Sequence, residues 1–66
     1  MRTLEGWRAE MLRITQRHGY ISTFELESNR ALALAFTDLV EEGEIVCLPS
    51  EYPIIKIVVK GESTSG

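Results

Sequence analysis

The stretch over residues 30–46, RALALAFTDLVEEGEIV, constrains the fold more than any other part of the chain. On a helical wheel at about 100° per residue, Leu32, Ala35, Phe36, Leu39 and Val40 fall on one side. Arg30, Ala33, Leu34, Thr37, Asp38 and Glu41 fall on the other. The spacing predicts an amphipathic helix over 30–42, with a buried and an outward face. Gly43 is a natural left-handed stop. Glu44 then opens a β-rich run over 44–48, dominated by Ile45, Val46 and Leu48. A helix that stops at a glycine and passes directly into a strand leaves few folds open to a chain of 66 residues.

That length allows one domain. A chain this short buries only about 60% of the surface it exposes when unfolded, so its stability should be modest without a partner. The hydrophobic fraction of 44% suits a globular chain and is too high for a disordered one. The start MRTLEGWRAE has no apolar signal core, and no apolar run is long enough for a membrane span. A lone Cys47 with a distant His18 makes neither a disulfide nor a metal site, and a single thiol fits a reducing cytosol. The expectation is a cytoplasmic protein, with no membrane partner.

Upstream, Leu4, Trp7, Met11, Ile14 and His18 recur at three- and four-residue steps. They predict a first helix over 3–18 with Thr3 as N-cap and Gly19 as stop. Tyr20-Ile21 reads as a short apolar link. Ser22-Thr23-Phe24-Glu25 has the spacing of a capping box, in which Ser22 caps the third amide and Glu25 reaches back. A short second helix follows over 23–27, with Phe24 or Leu26 turned inward. Ser28 or Asn29 can cap the third helix, or the second and third can form one bent helix.

Downstream, the run over 54–60 alternates Ile55, Ile57 and Val59 with Lys56, Val58 and Lys60. One face of that strand should lie on the core and the other in water. Pro49-Ser50-Glu51-Tyr52-Pro53 lies between the two runs, so together they predict a β-hairpin. Ile45 and Cys47 are expected to face inward, and Val46 and Leu48 outward. The domain should cover 1–60, with 61–66 (GESTSG) a mobile tail.

The order helix, helix, helix, hairpin resembles the winged helix-turn-helix superfamily. The likeness rests on the Gly19 stop, the Ile21-Ser22-Thr23 entry to the second helix, and Leu32, Phe36 and Leu39 in the third. Its most specific part is Leu39-Val40-Glu41-Glu42-Gly43-Glu44-Ile45, similar to the passage from recognition helix to wing in many bacterial regulators. The resemblance implies a small α+β fold, three helices followed by a two-stranded hairpin wing. It also implies a small bacterial or phage-encoded regulator of transcription that binds duplex DNA. Helix three would enter the major groove, with Arg30, Ala33, Leu34 and Thr37 outward. Arg30 suits guanine O6 and N7, Leu34 a thymine methyl, and Thr37 a base edge or phosphate. Tyr52 at the loop tip and Lys56 would add contacts outside the groove.

Charge points elsewhere. The net charge is −3, whereas phosphate binding draws on Lys and Arg. Glu41, Glu42 and Glu44 cluster at the end of the third helix. Arg13, Arg17, His18 and Lys56 can form a basic patch, or pair with Glu10 and other surface acids. Leu34, Val46 and Leu48 are candidate exposed hydrophobes, which mark interaction surfaces. They define the alternative, a winged-helix adaptor or inhibitor that binds a protein, or its own copy as a homodimer, without DNA. Trp7 belongs to the core. An enzyme is not expected: there is one histidine, Cys47 is expected to be buried and inert, and no phosphate loop, metal spacing or paired carboxylate is present. No cofactor, metal or small-molecule substrate is expected.

Overall fold

The computed structural model describes residues 3–61; all of the expected tail at 61–66 but Gly61, and the first two residues, lie outside the described residues. The elements run α1 (Leu4–His18), β1 (Tyr20–Ser22), α2 (Thr23–Ser28), α3 (Arg30–Glu41), β2 (Ile45–Leu48) and β3 (Ile54–Val59). It is a small α+β fold of three helices and a three-stranded antiparallel sheet in the order β1-β3-β2. No helix among the described residues is long and apolar enough to cross a membrane.

The helix boundaries follow local chemistry. Thr3 Oγ1 accepts from the Gly6 amide, and Gly19 closes α1 at φ 76°. A side chain there would strain the left-handed backbone, although a Cβ would meet only the Ile57 carbonyl at 4.0 Å. Asn29 decides the boundary between α2 and α3. Its φ and ψ of −138° and 92° are extended, and its Oδ1 accepts from Leu32 N. Two helices therefore form rather than one bent helix. Gly43, at φ 81°, turns the chain out of α3, and Glu44 N donates to Leu39 O on the way into β2.

Four expectations need correction. Tyr20-Ile21 is not a link but the start of β1, so the sheet has three strands rather than a two-stranded hairpin. Tyr20 pairs with Lys56, Ile21 with Ile55 and Ser22 with Ile54. The ladder continues at both ends, through Ile57 N to Gly19 O and Thr23 N to Pro53 O at 2.7 Å. Second, Ser22 Oγ accepts from Phe24 N, one residue earlier than a capping box requires, because Ser22 is still held in the strand. Third, the buried stripe of α1 centres on Met11 and Thr15. Leu4 and His18 at its ends are exposed. Thr15 is tolerated inside because its hydroxyl donates to Met11 O. Fourth, Cys47 is exposed. It shares the inward side of the ladder with its partner Ile57, but the helices cover Ile45 and leave Cys47 open.

The core sits between the helices and one face of the sheet. Met11 from α1, Leu32 and Leu39 from α3, and Ile21, Ile45 and Ile57 from the three strands form one buried cluster. Trp7, Leu12, Ile14, Leu26, Phe36, Val40 and Ile55 pack around it. Leu26, not Phe24, is thus the inward residue of α2, and the inner stripe of α3 is as its periodicity predicts. Ile57 is fully buried on the central strand. Replacing it with Ala should cost about 2–5 kcal/mol, comparable with the whole stability of a domain of this size. Urea denaturation monitored by Trp7 fluorescence should find Ile57→Ala largely unfolded where Val58→Ala remains folded.

Candidate functional site

α3 owes its outward face to its inner one. Packing Leu32, Ala35 and Leu39 into the core turns Arg30, Leu34 and Thr37 to solvent. Ala33 is half-buried beside them, and Leu34 is 56% exposed. The first turn of α3 contains no acid, and none occurs before Asp38. Arg30 makes no ion pair among the described residues. The first two turns therefore present one guanidinium, one hydroxyl and small or apolar side chains.

The acidic end of the same helix is partly neutralised. Arg8 of α1 forms a bidentate bridge to Glu42, with Nη1 donating to Oε2 at 3.1 Å and Nη2 to Oε1 at 2.6 Å. The geometry is the fork-to-carboxylate match that favours arginine. These hydrogen bonds hold the Glu42 carboxyl below its ordinary value, against an opposing effect of desolvation. The Arg8 guanidinium is pushed up, first by the Glu42 hydrogen bond and then by the charges of Glu42, Glu5 and Asp38. Arg8 thus ties the acidic end of α3 to α1. Glu41 stays exposed on α3, as do Glu25 and Glu27 on α2.

The loop at 49–53 leans on α2. Tyr52 is 73% exposed, and its ring meets that of Phe24 edge-on, with centroids 6.0 Å apart and planes at 73°. The Tyr52–Pro53 peptide is cis. An open cleft of about 760 Å³ lies against this loop, lined by residues 49–54 and Lys56. Ser50 Oγ accepts from Lys56 N and ties the loop to β3.

The expected site residues do not form one surface. Arg30, Ala33, Leu34 and Thr37 share the outward side of α3, and Tyr52 lies against α2. Lys56 belongs to the side of the sheet away from the helices, in register with Tyr20 and Leu48, and lines the cleft at the 49–53 loop together with Tyr52. Val46 and Leu48 share that side, as their alternation with Ile45 predicts, so Leu34 is separated from them by the whole core. Of the expected basic patch, Arg13 takes the alternative the sequence offered and pairs with an acid, Glu10. The exposed His18 ring packs near Tyr20 at a centroid distance of 5.9 Å. Tyr20 and Val58 are two further exposed hydrophobic residues on that side of the sheet. Tyr20 was concealed by the unrecognised strand. Val58 was legible in the alternation of β3, whose wet positions included it.

Because the Glu42 carboxyl titrates lower folded than unfolded, its bridge stabilises the protein above the ordinary carboxylate range. That contribution should be lost as pH falls through the lowered folded value. Glu42→Gln should therefore flatten the acid limb of a plot of melting temperature against pH and leave its neutral-to-basic course parallel to that of the parent. An unchanged acid limb would show that the bridge contributes nothing to folding.

No family model matches the sequence, and no curated protein or solved structure matches it.

Proposed function

We propose that this protein is a small winged-helix DNA-binding protein that acts as a regulator by equilibrium binding to duplex DNA. The observation that carries the reading is the exposed, acid-free first half of α3. Recognition helices of this architecture place their N-terminal residues against base edges, and here those residues are Arg30, Ala33, Leu34 and Thr37. The order of elements supports it, with β1 between the first two helices and pairing with the last strand. So does the Arg8–Glu42 bridge, which draws acidic charge toward α1. Tyr52, at the exposed loop beside α2, reaches the flanking sugar-phosphate backbone.

In this reading Arg30 supplies the hydrogen-bonding fork for a guanine, Leu34 packs against a thymine methyl, and Ala33 allows close approach. Affinity is limited by the few cations available and falls as salt rises. Arg30→Ala should cost about 1–3 kcal/mol of specific binding. The direct measurement is an ¹H–¹⁵N titration with mixed-sequence duplex at low salt. Shifts concentrated at residues 30–37 are the expected result. Unmoved amides along α3 would sink the reading.

A protein-binding role for the same helix is favoured by one observation. Leu34 stands exposed one turn from Asp38 and two from Glu41, the setting of an apolar anchor with an acidic rim. Under this reading Leu34→Glu abolishes capture of a protein partner, while Arg30→Ala leaves it intact. Pull-down with both variants distinguishes the two readings.

A further inference from the structure

The helices all pack on one face of the sheet, so its other face is bare. Antiparallel register places its side chains in rows. Val46 lies opposite Val58, and Leu48, Lys56 and Tyr20 lie side by side across the three strands. Beyond Val46 and Val58, the Lys60 amide donates to the Glu44 carbonyl at 2.8 Å, which extends the ladder by one pair. Tyr20 is 48% exposed, Val46 43%, Leu48 41% and Val58 41%. Glu44, Lys56 and Lys60 are exposed as well. Four large apolar side chains thus share one surface, with acid and base side by side at its end.

We propose that this bare face is where a second copy of the chain docks, the two sheets stacking about a two-fold axis parallel to the strands and midway between β2 and β3. The charges select that axis. It lays β2 of each copy over β3 of the other at the same height along the strands. Val46 then meets the partner's Val58, and Leu48 meets the aliphatic stem of the partner's Lys56, whose ammonium remains at the rim. Glu44 faces the partner's Lys60, so the four charges at that end alternate in sign. Tyr20, on β1, overhangs the free edge of the partner's β2.

A two-fold perpendicular to the strands and passing through the Val46–Val58 row lays Lys60 over the partner's Lys56. Like charges at that contact disfavour it relative to the parallel axis. Packed sheets cross at about 30°. The Glu44–Lys60 row lies one ladder repeat, about 7 Å, from the Val46–Val58 row. Rotation therefore displaces the charges by only about 3–4 Å, which flexible Glu and Lys side chains span. Docking also adds burial to a domain whose single core is small. The proposal does not rest on DNA binding, since the outward face of α3 lies on the other side of the core.

Sedimentation equilibrium of the full chain tests the proposal. The expected mass at high concentration is twice the chain's 7.5 kDa, and Val58→Glu should give a monomer with unchanged far-UV circular dichroism. Glu44→Lys and Lys60→Glu should each raise the dissociation constant at least about tenfold, equivalent to about 1.4 kcal/mol. The double exchange should restore it to within a few-fold of the parent. If Val58→Glu does not fold, the charge exchange alone decides. A chain that stays monomeric at high concentration overturns the proposal. So does a dimer insensitive to the single charge reversals, or one broken by Leu34→Glu but not by Val58→Glu.

Discussion

The structure depends on the burial of β3 between two neighbouring strands and beneath the helical layer. Ile57 is fully buried there, in one cluster with Met11 of α1, Leu32 and Leu39 of α3, Ile21 of β1 and Ile45 of β2. Every other element except α2 contributes a residue to that cluster. The remaining features arrange themselves around it. Gly19 reverses α1 so that β1 can reach β3, and Gly43 reverses α3 so that β2 can reach its other edge. Neither turn stabilises much alone. Both exist so that three short strands can bring three isoleucines under two helices.

That dependence determines what a reader of the sequence can find. α1 and α3 are legible because their periodicity is long and ends at a glycine. β3 is legible because Ile55, Ile57 and Val59 alternate with Lys56, Val58 and Lys60 over six residues. β1 is not, because Tyr20-Ile21-Ser22 is too short to show a period, and its strand character comes from partners 32–36 positions away. Cys47 shows a related limit. Alternation correctly assigns it to the inner side of the ladder, but its exposure depends on how far the helices extend over the sheet. The same holds for the candidate surface residues. Leu34, Val46 and Leu48 are each exposed as expected, yet which of them lie together depends on the layer order. The layer order puts Leu34 on one side of the core and the other two on the opposite side.

Charge is distributed by the same layering. A count of acids against bases gives a mildly acidic chain and argues against phosphate binding at every point of the surface. The fold is less uniform. Arg8 takes up Glu42, Arg13 takes up Glu10, and the first half of α3 carries no carboxylate. Arg30 remains without an ion pair among the described residues. The bare sheet face is different again, with Lys56 among apolar side chains and Glu44 beside Lys60 at its end. A net charge of −3 therefore describes neither surface.

The pairing of the first strand with the last also bears on how the chain reaches its fold. Most contacts within the helices are local and form quickly, whereas β1 must find β3 across a loop of more than thirty residues. β2 is no substitute partner, since it holds only the far edge of β3. During synthesis α1, α2 and α3 are complete while Ile21 still has no strand to lie against. Ile57 is among the last core residues to emerge, and until it does the core cannot close. Completion of the core therefore waits on β3, the last of the described elements in chain order.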